Sequence, residues 1–366
     1  MFTPSRLTLA RGRRGLTKKR VAELIGVSTR SLTAYEAGDM TPAPETVERL
    51  GNVLNFPVAF FEGPDLEELS ADAVSFRALS KMAAADRDRA LAAGALALSF
   101  TDWIGERFRL PEPRVPKLGL GVDPETAAQA VRVEWGLGEK PAPNLIHLLE
   151  MRGVRVFSVT QECRELDAYS LWRADQPFVF LSTEKSGERS RFDAAHELGH
   201  LVLHWHHDPP QGRRAELEAH RFAAAFLMPG ASVLAKAPRH PTLEQLIELK
   251  KRWRISVAAM AHRLHSLKAL SDWQYRTLVI EIGKRDYLNA EPEPIERETS
   301  QVLNKIFAAL RKEGMGKAAI ARELGIHQSD LDAIVFGLTM LPADSVAPLP
   351  AKPRLKEYPK LQLVEP

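Results

Sequence analysis

The sequence predicts an α+β protein that is predominantly helical, with an all-α unit at the N-terminus and a small β-sheet in the middle. Three observations lead to this class. Short helical patterns separated by glycine and proline run over residues 7–61. Three apolar runs of strand length follow at 154–159, 168–172 and 177–182. The rest of the chain is mostly helical in pattern, up to about Leu341.

Length and composition limit the class of protein. A chain of 366 residues is too long for one ordinary domain and suits two or three. A hydrophobic fraction of 45% indicates a folded globular chain, and a net charge of +3 excludes binding of nucleic acid by bulk charge alone. A single cysteine, Cys163, fits a reducing compartment. Without an apolar run suited to a signal peptide or a membrane span, we expect a cytoplasmic protein with no membrane partner.

One segment near each end of the chain has the same pattern. KKRVAELIGVSTRSLTAYEAG at 18–38 aligns without a gap on KAAIARELGIHQSDLDAIVFG at 317–337, and each predicts a helix, a glycine-containing turn and a second helix. Seven basic residues precede the first acid, Glu23, so the first copy follows a basic terminus. The second copy carries Asp330 and Asp332 on its second helix, which predicts a structural or protein-binding role.

The stretch RFDAAHELGHLVLHWHH, at 191–207, has the spacing of a metal site. Positions four apart in an α-helix lie on one face, so His196 and His200 can direct ring nitrogens at one ion. Glu197 lies about 100° round the helix from His196, beside the ion and not on it. This arrangement predicts a zinc site in which Glu197 is the general base for a metal-activated water.

A catalytic zinc needs a third protein ligand, and the sequence offers two candidates. His206 lies ten residues after His196, a spacing that requires a helix-breaking glycine where this chain has Leu203. Glu216 lies on a second predicted helix, which the loop WHHDPPQGR lets fold back on the first. Glu218 lies about 200° round that helix from Glu216, nearly on its opposite side. The pattern favours Glu216 and leaves His206 as the alternative.

RFDAAHELGHLVLH, followed by ELEAHRFAAAFLMP, resembles the ImmA/IrrE family of zinc metallopeptidases over about residues 154–229. The family pattern is H-E-x-x-H, then E-x-x-A-N, then F-A-x-x-L-M-P. The resemblance implies one zinc ion per chain, held by His196, His200 and Glu216, with Glu197 as the base. The family's asparagine falls on His220, which can serve as an outer hydrogen-bond donor or compete for the metal.

LTKKRVAELIGVSTRSLTAYEAGDMTPAPETVERLGNVLNFPVAFF resembles the XRE family of helix-turn-helix domains over about 55 residues. The resemblance implies that Gly26 makes the turn, that Ser28 caps the second helix and that Gly38 ends that helix. The first helix is expected to pack inward through Val21, Ala22, Leu24 and Ile25. The residues expected to meet double-stranded DNA are Lys18, Thr29, Arg30, Thr33 and Ala34, with Arg11, Arg13 and Arg14 as added phosphate contacts.

We therefore expect five units along the chain. They are a helix-turn-helix domain at 1–63, a helical linker region at 64–124, a zincin-like ImmA/IrrE-type metallopeptidase domain at 125–265, a helical region with the second helix-turn-helix-like unit at 266–341, and a proline-rich tail at 342–366. A homodimer is compatible with this organisation, since many helix-turn-helix regulators are dimers.

The predicted function is a DNA-associated zinc endopeptidase whose protein substrate is a transcriptional repressor or an antitoxin-type partner. The helix-turn-helix would bring the enzyme to the operator that its substrate occupies. The alternative is a one-component DNA-binding regulator whose metallopeptidase-like domain senses or dimerises with little turnover. The intact Glu197 favours the enzyme, because a protein without turnover has no need of the base.

Overall fold

The computed structural model of the chain describes residues 1–67, 69, 82–119, 121–159, 163, 166–205 and 212–339. Those residues contain sixteen α-helices, one 3₁₀ helix and one three-stranded sheet. The predicted α+β class with a predominance of helix is confirmed. The tail predicted at 342–366 and the alternative ligand His206 lie outside the described residues.

Five short helical elements form the N-terminal unit. They are α1 (Pro4–Arg13), α2 (Lys18–Ile25), α3 (Thr29–Ala37), α4 (Pro44–Leu54) and a 3₁₀ helix (Val58–Glu62). α2 ends at Gly26, whose φ of 72° favours glycine. α3 begins after Ser28, whose hydroxyl accepts a hydrogen bond from the Ser31 amide, and it ends at Gly38. The turn and caps of the helix-turn-helix lie where the sequence predicts them.

One residue of α2, Leu24, does not lie on the buried face where the sequence predicts it. Val21, Ala22 and Ile25 are buried, but the Leu24 side chain is 44% exposed. A helix turns about 100° per residue, so Leu24 lies about 200° from Ala22 and points away from the core. The prediction that Leu24 packs inward is wrong.

The three predicted strands form one sheet in the order β1-β3-β2. They are β1 (Arg155–Ser158), β2 (Ala168–Arg173) and β3 (Gln176–Leu181). β1 runs parallel to β3, whereas β2 pairs antiparallel with β3. Successive residues of a strand point to opposite faces, so Tyr169 and Ser170 contact different layers of the protein.

A buried helix, α5 (Ala84–Gly105), lies in the region predicted to link the two halves of the chain. The Tyr169 hydroxyl donates a hydrogen bond to the Ala90 carbonyl oxygen of α5 over 3.1 Å. Gly12 of α1 packs on the same helix, since a Cβ added there would lie 3.8 Å from the Cβ of Ala92. α5 therefore joins the N-terminal unit to one face of the sheet within a shared apolar core.

Four helices pack together beside the sheet. They are α6 (Pro124–Glu134), α7 (Leu145–Met151), α8 (Gly187–Leu203) and α9 (Arg213–Leu227). α8 covers the face opposite to α5, where Trp172 Nε1 donates to the Leu201 carbonyl oxygen over 3.1 Å. α9 crosses α8 closely at Gly199, because a Cβ at that position would lie 3.2 Å from the Cα of Ala219. This close crossing brings side chains of α8 and α9 face to face.

The C-terminal part of the described chain is helical. Its elements are α10 (Gly230–Leu234), α11 (Leu243–Trp253), α12 (Val257–Ser266), α13 (Asp272–Lys284), α14 (Gln301–Lys312), α15 (Lys317–Glu323) and α16 (Gln328–Val335). Two buried ion pairs fasten this part to the first half of α8. Lys250 Nζ lies 3.0 Å from Glu188 Oε1, and Arg191 Nη1 donates to Glu298 Oε1 over 2.5 Å. These contacts hold α8 from the side that faces away from the sheet.

The second helix-turn-helix-like unit, α15 and α16, packs against the N-terminal unit through Asp330. This carboxylate is 1% exposed, and it lies 3.1 Å from Arg13 Nε and 2.8 Å from Arg14 Nη2. Arg11 is also used internally, since its Nε donates to Glu36 Oε1 over 2.5 Å. Protein carboxylates thus pair with all three arginines within the fold, and the Arg13 side chain is buried. The added phosphate contacts of these arginines stay a prediction.

Replacing Asp330 by alanine is expected to destabilise the protein by about 3–5 kcal/mol, because it leaves buried guanidinium groups without their counter-charge. Asp332→Ala is the matched control, because Asp332 is 37% exposed and its ion pair in the described part of the chain is with Lys317. A surface pair of this kind contributes about 0–1 kcal/mol. Thermal unfolding followed by circular dichroism measures the stability of both variants. Equal melting temperatures would contradict the role assigned to Asp330.

Candidate metal centre

The three predicted ligands meet in the space between α8 and α9. Glu216 Oε2 lies 3.5 Å from His196 Nε2, and Glu216 Oε1 lies 3.4 Å from His200 Nε2. The two histidine Nε2 atoms are 3.1 Å apart. One histidine comes from each of two successive turns of α8, and the carboxylate comes from the first turn of α9. Three donor atoms therefore converge on one point.

The spacing of these donors fits a zinc ion. Tetrahedral zinc with metal–nitrogen and metal–oxygen distances of about 2.0–2.1 Å separates its donors by about 3.3–3.4 Å. The separation of 3.1 Å between the histidine nitrogens, and the separations of 3.5 and 3.4 Å from these nitrogens to different oxygens of the Glu216 carboxylate, lie within a few tenths of an ångström of that value. Among the described residues, His196, His200 and Glu216 form the one group of three or more histidine, cysteine or acidic side chains that could hold a metal. His206, the alternative ligand, lies outside the described residues.

Glu197 lies next to the ligands, in a buried position on the sheet side of α8. Ser170 of β2 donates a hydrogen bond from Oγ to Glu197 Oε2 over 2.6 Å, which fixes the orientation of the carboxylate. Burial raises the pKa of the Glu197 carboxyl to about 7, against the opposing effects of His196 and of the Ser170 hydrogen bond. A carboxyl with a pKa near neutrality is suited to accept and return a proton.

A cleft of about 660 Å³ opens onto His196, Glu197 and Glu216. Its walls come from α8, α9, α12 and the segment that follows α13, where Leu288 and Glu291 face the opening. A volume of this size can take a stretch of extended polypeptide or a small ligand. The predicted base and two of the predicted ligands are thus accessible from outside the protein.

His220 lies in this cleft, one helical turn after Glu216. Its ring centroid is 4.9 Å from that of Phe192 and 5.8 Å from that of His262. His220 is not one of the three residues whose donor atoms lie together. An outer hydrogen-bonding role for His220 stays a prediction.

Two contacts of the site could not be read from the sequence. Ser170 is 27 positions before Glu197, and the only sign of its role is that it is a polar residue inside a buried strand. Glu218 also reaches α8, although it starts from the far side of α9 relative to Glu216. Its Oε2 lies 3.1 Å from His204 Nε2, because His204 leaves helical geometry at a φ of −120° and turns toward α9.

The predicted DNA-facing residues lie on one surface of α2 and α3. Thr29, Arg30 and Thr33 are exposed, Ala34 is half-buried, and Lys18 is half-buried with its Nζ 3.0 Å from Glu36 Oε2. The N-terminal turns of α3 thus present short polar side chains and one arginine to solvent, as entry into a major groove requires.

The comparisons with known families agree with both halves of this description. Residues 7–61 match the family model described as helix-turn-helix, and residues 149–265 match that of the IrrE N-terminal-like domain of peptidase family M78. The chain carries an XRE-type helix-turn-helix domain and an IrrE-type domain. The predicted fusion is confirmed, and the protein is a DNA-binding protein with a metallopeptidase-like domain. No curated protein matches the chain.

The helices of this fusion show no membrane segment in the part of the chain that the structure describes. None of them combines the length with the apolar composition that crossing a bilayer would need.

Replacing Arg30 by alanine is expected to weaken binding of the fusion to a mixed-sequence DNA duplex. Loss of one phosphate contact reduces the slope of the logarithm of affinity against the logarithm of salt concentration by about 0.9. Fluorescence anisotropy at several salt concentrations measures the slope. Arg239→Ala, which removes an exposed arginine outside the helix-turn-helix, is the matched control. Identical slopes for the two variants would remove Arg30 from the DNA-binding surface.

Proposed function

We propose that this protein is a DNA-associated zinc endopeptidase that cleaves a transcriptional repressor or an antitoxin-type partner. The observation that carries the proposal is that Glu197 directly follows a member of a His₂Glu group and lines one cleft together with His196 and Glu216. The proposed place of action is the cytoplasm, where the helix-turn-helix meets an operator. Dimerisation of the protein stays a prediction.

In this proposal His196, His200 and Glu216 would hold the zinc ion. Bound zinc supplies Lewis acidity, which polarises a peptide carbonyl and lowers the pKa of water. The two histidines must be neutral at Nε2 to act as ligands, and Glu216 must be ionised. His196 and His200 lie beside the Glu216 carboxylate and hold the pKa of its carboxyl below the ordinary value against the effect of burial, so the carboxylate is ready to bind a cation.

Glu197 would move the protons of the reaction. The Ser170 hydroxyl orients the Glu197 carboxylate through a hydrogen bond, and the raised pKa of about 7 suits proton transfer near neutral pH. The carboxylate would take a proton from the attacking water and return it to the amine that leaves when the peptide bond breaks. These steps need the residues named here, the bound zinc, one water molecule and a substrate seated in the cleft.

The helix-turn-helix supports a substrate that is itself found at DNA. Binding to an operator raises the local concentration of the peptidase beside a repressor bound there, without any additional contact between the two proteins. A small polypeptide cleft beside a DNA-binding unit fits cleavage of one exposed segment of such a protein.

One observation favours the second candidate function, a one-component regulator with little turnover. The buried contact of Asp330 with Arg13 and Arg14 joins the DNA-binding unit to the C-terminal unit, which also packs on α5 and β1. A ligand in the cleft could therefore alter DNA binding without cleavage. Glu197 distinguishes the two candidates, because only the enzyme requires a base.

Mapping of new protein N-termini in host cells tests the proposal. Cells that produce the wild-type chain are compared with cells that produce the Glu197→Gln chain at equal abundance. The proposal predicts new N-termini in one or a few DNA-binding proteins in the first cells and not in the second. Identical N-termini, with target genes regulated alike by both chains, would establish the regulator instead.

A further inference from the structure

His204 lies behind the ligand His200, on the side away from the metal position. Its Nδ1 is 2.9 Å from His200 Nδ1, and its Nε2 is 3.1 Å from Glu218 Oε2. The His204 side chain is 6% exposed, so protein groups and not solvent decide its orientation. Arg214 Nε donates to the other oxygen of Glu218 over 2.9 Å. The four side chains form an unbroken row from solvent to the ligand group.

When both histidines are neutral, these contacts fix which ring nitrogens carry protons, because the Glu218 carboxylate can only accept. A neutral His200 that presents a lone pair at Nε2 must carry its proton at Nδ1. Its Nδ1–H can then only donate, so His204 must accept at Nδ1. A neutral His204 therefore carries its own proton at Nε2, and that N–H donates to the Glu218 carboxylate. One arrangement of protons satisfies every contact in the row, and it is the arrangement that leaves His200 Nε2 free to bind a metal.

We propose that His204 and Glu218 are positioning residues that hold His200 in its metal-binding tautomer and ring orientation, and so increase affinity for zinc. The proposal rests on the metal site of the proposed function. Outer groups that accept from the distal N–H of a ligating histidine make the ligand more basic and restrict its rotation. Here the acceptor is a second histidine, and the carboxylate acts through it.

The geometry also excludes His204 itself as a ligand. Its Nδ1 faces the distal nitrogen of His200, and its Nε2 faces Glu218, so both ring nitrogens are engaged away from the ligand group. Glu216 and Glu218 thus have separate tasks although they are two positions apart on α9. Glu216 belongs to the donor group, and Glu218 supports it from behind.

The test is the zinc affinity of the purified full chain, measured by competition with a chromophoric chelator. Loss of an outer partner is expected to weaken zinc binding by about 10-fold to 100-fold, so His204→Phe and Glu218→Ala should both fall in this range. His204→Asn should weaken binding less than His204→Phe, because the amide oxygen can still accept from His200 Nδ1–H. Arg221→Ala is the matched control, since it breaks an exposed ion pair of α9 with Asp123 that lies outside the row.

Thermal unfolding of the metal-free variants separates positioning from folding. Positioning predicts that zinc affinity falls in His204→Phe and Glu218→Ala while both metal-free chains still fold, with one cooperative melting transition like that of Arg221→Ala. Equal zinc affinities for wild type, His204→Phe and Glu218→Ala would overturn the positioning role and leave the metal site intact. Absence of zinc binding in the wild-type chain would overturn the proposed function and the positioning role together.

Discussion

Glu197→Gln is expected to reduce hydrolysis of the protein substrate by about 10²-fold to 10⁴-fold, the usual contribution of a positioned general base. Glutamine keeps the size of the side chain and can still accept from the Ser170 hydroxyl, but it cannot take a proton from water. The zinc content should not change, because Glu197 is not among the three donors. The rate is measured on the substrate identified by its new N-terminus.

Glu184→Gln is the matched control for this change. Glu184 is an exposed carboxylate just before α8, and it does not line the cleft. The control should hydrolyse the substrate at the wild-type rate. If Glu197→Gln kept more than about a tenth of the wild-type rate with zinc bound, Glu197 would not be the base.

Glu216→Ala is expected to remove the stabilisation that zinc gives to the folded chain. A ligand that binds only the folded state at 100 times its dissociation constant stabilises that state by about 2.7 kcal/mol. Wild-type protein should therefore melt at a higher temperature when zinc is added. With only His196 and His200 left as donors, the variant should bind zinc too weakly to show this shift.

Arg221→Ala is again the control on α9, and it should keep the full zinc-dependent shift. A full shift in Glu216→Ala would move the third ligand to another residue. His206 is then the first candidate, because its spacing from His196 is the alternative that the sequence leaves open.

The local parts of the site could be predicted because helix geometry fixes them. His196 and His200 are four apart on one helix, and Glu216 lies in the first turn of the next, so two short segments contain all three donors. The helix-turn-helix was predictable for the same reason, because its caps are local: Gly26 ends the helix directly before it, and Ser28 caps the helix directly after it.

The long-range contacts could not be predicted, because no periodicity relates residues that are distant in sequence. Asp330 is 316 positions from Arg14, and only the fold shows that it neutralises a basic terminus that resembled a phosphate-binding cluster. Ser170 meets Glu197 because β2 lies under α8. Leu24 shows that an apolar residue in a helix need not face the core. Its angular position relative to Ala22, and not its apolar character, decides that it points outward.

The metal content of the purified wild-type chain, measured by elemental mass spectrometry after zinc is supplied and excess is removed, decides whether the protein has a zinc site. We expect about one zinc ion per chain, because the described residues contain one group of three side chains that could hold a metal. A chain that holds no zinc under these conditions would contradict the account and leave the DNA-binding regulator as the function of the protein.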